Sequence, residues 1–166
     1  MIHISSKKTK SNLTSVKDGD VQPNAVDLRL DKVFQIKTDI FEISNEHKKH
    51  RGTEFEIKPD PEGYFNLAPG HYEVVMENII HVGEGEAGWV ITRSTLNRNG
   101  LFLTSGLYDS GYHGVMAGVL HVMIGHARIK QGTRIGQYLS FDAEALHKYD
   151  GDYGVGKQHD NKYGVN

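Results

Sequence analysis

The stretch Gly106-Leu107-Tyr108-Asp109-Ser110-Gly111-Tyr112-His113-Gly114, followed by the apolar run Val115 to Ile124, decides how the rest of the chain is read. It has the form of a β-hairpin. One strand ends near Thr104, the glycines permit a tight reversal, and a second strand leaves through Val115-Met116-Ala117-Gly118-Val119-Leu120. Glycine supplies φ > 0 positions and lets a backbone approach a flat ligand with no Cβ between them. One carboxylate, Asp109, and one aromatic, Tyr112, stand three residues apart on the turn. Taken alone, these residues describe an ordinary hairpin with an Asx-type turn and a surface tyrosine.

The flanks carry more strands. Upstream, Trp89-Val90-Ile91-Thr92 is a strand, Arg93 to Asn99 a short helix stopped by Asn99-Gly100, and Leu101 to Thr104 the strand entering the hairpin. Downstream, Ala127 to Lys130, the turn Gln131-Gly132 and Arg134 to Phe141 form a last strand pair. Further towards the N-terminus, Val26, Leu28 and Leu30 alternate with Asp27 and Arg29, the period of a half-buried strand with Asp27 opposite the aliphatics. Phe34 to Ile43 reads as strand-like, Ser44 to Gly52 as a charged loop, and Thr53 to Lys58 as a strand with Phe55 and Ile57 inward. Pro59 to Gly63 is a turn. Tyr64 to Leu67 and Tyr72 to Met76 are strands around Ala68-Pro69-Gly70, and Gly83 to Gly88 is a further turn. Residues 1–19 are polar and read as one edge strand or a mobile arm. Many short strands with almost no helix predict an all-β barrel or jelly roll.

Composition narrows the function. At 166 residues the chain is most simply one domain with a real core. A net charge of -2 and a pI near 6.5 give no electrostatic case for nucleic-acid binding. No apolar run is long enough to cross a bilayer and the N-terminus carries no signal-peptide pattern, so no membrane partner is expected. Cysteine is absent, which removes disulfides, thiolate nucleophiles and thiolate metal sites, and suits a reducing cytoplasm, that of a virus- or phage-infected cell included. His47 and His50 have no second ligand pair at metal-binding spacing and read as solvated.

The remaining chemistry is oxygen and nitrogen chemistry. Arg93-Ser94-Thr95-Leu96 opens the helix directly after a strand, where free N–H groups, an arginine fork and a hydroxyl suit an anion; Ser94 as a plain N-cap is the simpler alternative. Gln131 to Gln137 is a second turn-then-strand, carrying Arg134 and Gln137, and reads equally as a charged hairpin turn. Asp27 is a partner for a nearby arginine.

In order and wording these segments resemble the first four motifs of the trimeric dUTPase superfamily, which includes dCTP deaminases. The motifs are Ala25-Val26-Asp27-Leu28, Arg93-Ser94-Thr95-Leu96, Gly106 to Gly114, and Gly132-Thr133-Arg134-Ile135-Gly136-Gln137, and the likeness spans roughly residues 20 to 142. The resemblance implies a dUTPase-like distorted jelly-roll barrel of the β-clip type over residues 1–146, with one short helix. It also implies assembly as a homotrimer and a glycine-rich tail, 147–166, that closes over the active site. Residues 23–30 and 89–101 look most like the deaminase branch; the hairpin looks like the dUTPase branch.

Deaminase members carry a proton-shuttling glutamate on the strand leaving the hairpin. Val119 stands at that place, no acid occurs between Ser110 and Thr133, and a valine transfers no proton. The resemblance therefore implies a dUTP pyrophosphatase giving dUMP and pyrophosphate. Asp109 is the implied water-activating base, and Asp27 the holder of a hydrated Mg²⁺ through water. Arg93, Ser94, Thr95, Arg98 and Gln137 are implied phosphate ligands. Tyr112 is implied to pack under the deoxyribose, and backbone groups from Leu103 through Thr104, Ser105 and Gly106 to read uracil, with Gly118 leaving space. Arginine usually stands where this chain has His113. The tail has no phenylalanine to stack on uracil, and Lys148, Tyr149, Lys157 or His159 is offered to the triphosphate instead. A dCTP deaminase, a bifunctional dCTP deaminase/dUTPase and a non-catalytic nucleotide-binding regulator are the competing functions.

Overall fold

The computed structural model describes residues 1–164. Its frame is a sheet in which β8 (Glu86–Thr92), β12 (Arg134–Asp142), β2 (Val26–Ile36), β7 (Gly70–His81), β10 (His113–Val122) and β9 (Leu101–Thr104) follow one another. β1 (Asn12–Leu13) adds to β7 and β5 (Thr53–Ile57) to β2. The two ends of this sheet meet. Gly88 and Tyr108 exchange backbone hydrogen bonds of 3.0 and 2.7 Å, and the Thr92 hydroxyl donates to the Leu103 carbonyl while accepting from the Leu103 N–H. The sheet thus curls into a nearly closed barrel, the all-β jelly-roll-like fold the alternating pattern predicts.

One face of each strand supplies the filling: Val26, Leu28 and Leu30 from β2, Val74 from β7, Met116 and Leu120 from β10, Ile135 and Tyr138 from β12 are all buried. A separate pair, β6 (Tyr64–Leu67) and β11 (Ala127–Lys130), adds Phe65 and Leu67 to the same core. Truncating one such leucine to alanine costs about 2–5 kcal/mol in a close-packed interior.

Several local readings are revised. β2 begins at Val26 and runs on to Ile36, so only Phe34 to Ile36 of the stretch read as 34–43 is part of it. The charged segment 44–52 instead holds half of a small hairpin, β3 (Glu42–Ile43) with β4 (Lys48–Lys49). Phe55 is 56% exposed rather than inward, because β5 is an edge strand whose outer face nothing covers. The helix is shorter than 93–99: α1 covers Ser94–Asn97, with Arg93 extended at its start and Gly100 at φ +75° after its end. The hairpin is not tight. β9 pairs with β10 only from Thr104–Val119 to Leu101–Val122, leaving residues 105–112 as a loop turned at Gly111 (φ +84°). Gly118 also has a packing requirement of its own, since a Cβ there would collide with the Thr104 carbonyl oxygen.

Residues near the N-terminus and the described part of the tail both lie on the barrel. Residues 9–11 are fastened to Glu86, whose carboxylate accepts from the Thr9 and Ser11 hydroxyls and from the Lys10 and Ser11 N–H groups. Burial pulls the Glu86 pKa up, but these donors outweigh it and hold it below the usual carboxylate value. Residues 149–164 cross the outside of β10, β7 and β2 and end in a 3-10 helix, Gln158–Tyr163. Tyr163 packs with Phe34, Val75 and Val115 in a second, smaller apolar cluster. Residues 165–166 of the tail lie outside the described residues.

Candidate active site

Two polar seams and one cavity hold the residues singled out in the sequence. The first seam surrounds Asp27, whose side chain is fully buried although it points away from the aliphatic face of β2. The register puts Gln137 of β12 opposite Asp27, and Gln137 Nε2 donates to Asp27 Oδ1 at 3.0 Å. Asp27 Oδ2 lies 3.3 Å from both Arg93 Nε and Arg134 Nη1. Arg93 also donates to the Arg134 carbonyl at 3.2 Å. One carboxylate on three sides thereby fixes two guanidinium groups and an amide, while Ser94, Thr95 and Arg98 stand exposed at α1 beside it. Arg134 is the member of this seam that motif reading undervalued; its signal is its place on β12 opposite Arg29, two residues along β2 from Asp27, which only pairing reveals.

This seam does not fit the expected metal role. Both oxygens of Asp27 are occupied by side-chain donors, two of them cationic, and the group has no exposure. Asp27 is an arginine-orienting carboxylate here and does not fit Mg²⁺, so no step below passes through that ion.

A cavity of about 500 Å³ lies between the hairpin loop, the outer face of β10 and β7, and the tail. Gly106, Leu107 and Tyr112 from the loop, Val115, Ala117, Gly118 and Val119 from β10, and Tyr149 and Tyr153 from the tail line it. Tyr112 is buried rather than a surface residue. Its hydroxyl donates to the Val115 carbonyl at 2.9 Å and its ring sits edge-on to Tyr108 and Tyr149, with burial pushing its pKa up. Asp109 is exposed on the loop, and its carbonyl accepts from the Tyr112 N–H to close a turn. Ser105 ties the loop to β8 by accepting from the Val90 N–H at 3.1 Å. Thr104 Oγ1 faces His121 Nε2 at 2.9 Å. Neither Asp109 nor Asp27, Arg93, Ser94 or Gln137 is among the residues lining this cavity. In a single chain the anion-type seam and the hairpin cavity are separate.

The tail residues divide. The Tyr149 N–H donates to the Ser110 carbonyl at 2.8 Å, and Lys148 lies against Gly111. Lys157 is turned elsewhere, 3.7 Å from the exposed Asp150, on a smaller cavity shared with His50, Asp152 and His159.

The second seam was not legible from motifs. Glu73 of β7 stands directly opposite Val119 in the ladder, so the two share a face, and Glu73 lines the cavity. Its carboxylate accepts from the Tyr163 hydroxyl at 2.6 Å and pairs with Lys162 at 2.7 Å. Lys32 Nζ donates to the Tyr163 carbonyl at 2.6 Å, completing the anchor of the tail. No acid occurs on the strand that leaves the hairpin, yet the fold brings one beside Val119 from the neighbouring strand.

A family model described as dCTP deaminase-like matches residues 2–142. The probable deoxyuridine 5'-triphosphate nucleotidohydrolase of Halobacterium salinarum is 30% identical over 143 residues, covering 83% of this chain and 85% of that protein. The protein of the same name from Methanopyrus kandleri is 32% identical over 136 residues, covering 80% and 86%. Among solved structures, the 2'-deoxycytidine 5'-triphosphate deaminase of Agrobacterium tumefaciens superposes with a TM-score of 0.59 at 17% identity, over 79% of this chain and 43% of that one. A dUTPase mutant of Staphylococcus bacteriophage 80alpha with dUpNHpp superposes with a TM-score of 0.51 at 12% identity, over 86% and 97%. These two share the fold. Among the described residues no helix is long and apolar enough to cross a membrane.

Proposed function

The chain belongs to the dCTP deaminase-like family, and on that premise we propose that it hydrolyses dUTP to dUMP and pyrophosphate. The observation that carries this reading is the Asp27 seam. A fully buried carboxylate holds Arg93 and Arg134 at 3.3 Å each and Gln137 at 3.0 Å, next to the exposed hydroxyls of Ser94 and Thr95. Such fixed donors meet a polyphosphate without reorganising, which is where electrostatic catalysis is strongest. Arg93, Ser94, Thr95, Arg98 and Gln137 grip phosphate oxygens; Asp27 keeps them aimed. Asp109 takes a proton from a water whose oxygen attacks the α-phosphorus. The bond to the bridging oxygen breaks in line, and pyrophosphate leaves. Thr104, Ser105, Gly106 and Tyr112 hold the base and sugar, and Lys148, Tyr149 and Lys157 close over the triphosphate.

The separation of the Asp27 seam from the hairpin within one chain supports assembly as a homotrimer, in which different copies supply the two halves of each site. Sedimentation at micromolar concentration is expected to give a trimer; a monomer with full turnover overturns that assembly.

Asp109→Asn tests the chemistry. It retains the size of the carboxylate and much of its hydrogen bonding but takes no proton, so turnover is expected to drop about 10²–10⁴-fold while dUTP binding changes far less. Near-normal hydrolysis by this variant removes Asp109 from the mechanism.

Glu73 favours a second reading. Its carboxylate is beside the position where deaminases of the resemblance carry their glutamate, which makes dCTP deamination the alternative activity. Incubation with dCTP and dUTP, following ammonia and pyrophosphate separately, distinguishes them: pyrophosphate from dUTP without ammonia from dCTP supports the first reading, and ammonia that disappears in Glu73→Gln supports the second.

A further inference from the structure

β7 and β10 run antiparallel with His71 directly opposite His121, so both rings rise from the same face of the sheet. They meet with their Nδ1 atoms 2.9 Å apart, the ring centroids separated by 5.0 Å. Two N–H groups or two lone pairs at that distance repel, so one nitrogen donates and the other accepts. The direction follows from the next contacts. His121 Nε2 is 2.9 Å from Thr104 Oγ1, and the Thr104 hydroxyl donates towards the Val119 carbonyl at 3.4 Å. With its proton directed there, Oγ1 accepts from His121 Nε2–H. Neutral His121 then carries its lone pair on Nδ1, and His71 Nδ1–H donates into it.

We propose that His71 and His121 form a binding site for a divalent transition-metal ion, Cu²⁺ or Ni²⁺ foremost, with both Nδ1 atoms as ligands and Thr104 fixing the tautomer of His121. Imidazole is the ligand type these ions take. Metal–nitrogen bonds of about 2.0 Å put neighbouring ligands of a square-planar ion about 2.8 Å apart and those of a tetrahedral ion about 3.3 Å apart. The observed 2.9 Å is close to the first separation and a few tenths of an ångström short of that for Zn²⁺. With centroids 5.0 Å apart the rings now face each other, and each turns about its own side-chain bonds, without strand movement, to aim its Nδ1 lone pair at a shared ion. On binding, the proton between the rings leaves His71 Nδ1 and the ring takes one at Nε2, so both imidazoles stay neutral. Water fills the remaining coordination positions, because His71 is exposed.

The ligands are held from behind. The ladder continues on both sides of the pair, Tyr72–Leu120 and Gly70–Val122, and Tyr72, Leu120 and Val122 are core residues. A ligating histidine whose other nitrogen donates to a fixed acceptor has a set tautomer and orientation, which is what Thr104 provides. A cross-strand histidine pair does not by itself have these properties. His81 and His113 are also opposite each other in the same ladder, but their ring centroids are 5.5 Å apart.

The test is titration of metal-free full-length His3→Ala protein, in which the amino-terminal Met1-Ile2-His3 chelate for Cu²⁺ is removed, with CuCl₂, read by electron paramagnetic resonance and calorimetry. One tightly bound Cu²⁺ per chain is expected, with nitrogen hyperfine structure from two imidazoles. His71→Ala and His121→Ala are each expected to weaken it at least 10-fold and erase the two-nitrogen signature, and Thr104→Val to weaken it about 10–100-fold. His81→Ala serves as control and is expected to change nothing. Unchanged binding when His71→Ala is added to the His3→Ala parent, or no stoichiometric binding by that parent, overturns the site. His71 is exposed, so its variant decides the question even where His121→Ala disturbs the fold.

Discussion

Asp27 and Glu73 are two carboxylates in comparable positions, each on a long strand of the barrel and each engaged by more than one donor, yet they join different things. Asp27 is fully buried and stitches β2 to β12 and to the start of α1, three parts of the barrel itself. Glu73 is half-buried and joins β7 to Lys162 and Tyr163, which arrive some ninety residues later from the tail. A partner supplied by the barrel is present whenever the barrel is; a partner supplied by the tail can leave. The difference separates a group that belongs to the fold from one that governs a docking event.

The largest effect belongs to the first. Asp27→Ala strands Arg93 and Arg134 beside an empty place, and removing one member of a buried ion pair costs about 3–5 kcal/mol. At roughly 2–4 °C per kcal/mol for a chain of this size, thermal melts are expected to fall by about 6–20 °C. A melt within two or three degrees of the parent would mean that Asp27 is no more a part of the fold than Glu73.

Deleting Asp150 to Asn166 comes next. Among the described residues of that segment none belongs to the barrel core, so the fold is expected to persist, with Phe34, Val75 and Val115 losing Tyr163 as their cover. Turnover of dUTP is expected to drop on the order of 10²-fold, the cost of losing groups that position a substrate. Full activity in the truncated protein removes the tail from catalysis.

Glu73→Gln is subtler. It retains the shape and accepts from Tyr163 but loses the charge opposite Lys162, two side chains 18% and 25% exposed. A charge-assisted hydrogen bond contributes about 1.5–3 kcal/mol, of which a partly solvated one retains the lower part. A KM raised up to roughly 10-fold with little change in kcat marks a docking residue; an equal loss in kcat places Glu73 in the chemistry instead.

The smallest effect is at the other end of the chain. Glu86 has its folded pKa lowered from 4.5 by Ser11, Lys10 and Thr9, against the opposing pull of burial. Its contribution to stability is therefore fully present above about pH 4.5 and is lost as pH falls through the lower folded value. Between pH 7 and 5 the N-terminal arm is expected to protect its amides from hydrogen exchange unchanged, with protection at residues 9–11 fading below pH 4.5. Glu86→Gln should flatten that dependence.

The sequence pattern made the barrel legible because alternation along β2, β8 and β12 records which face is inside. Residues 27, 93 and 137 were legible as one polar group because their motifs occur together and in order. Asp27 as an arginine partner was also readable as the plain alternative to a metal role, and pairing favours the plain reading. Phe55 was misread since alternation marks the more apolar face of a strand but not whether anything packs on it, and β5 is an edge strand. Glu73 was missed for a related reason: the acid sought on the strand after the hairpin is a cross-strand neighbour, and register between β7 and β10 is not written in either strand alone. The hairpin's width escaped too, because the same glycines serve a tight turn and an eight-residue loop.

The contact between Ile2 and Ser140 has a consequence for how the chain is made. Ile2 N–H donates to the Ser140 carbonyl at 2.9 Å and the Ser140 hydroxyl returns a bond to the Ile2 carbonyl, across a separation of 138 residues. β12, which carries Ser140, is also the strand that β2 and β8 both require as their neighbour. During synthesis the first strands emerge with no partner for one of their edges, and loop closure over such distances is slow. Unpaired β2 and β8 are then open to strand pairing with other nascent chains. Refolding yield should accordingly depend on protein concentration far more steeply than stability does, and ribosome-bound chains ending before residue 134 should aggregate or recruit chaperones where those extended past residue 142 and clear of the exit tunnel do not.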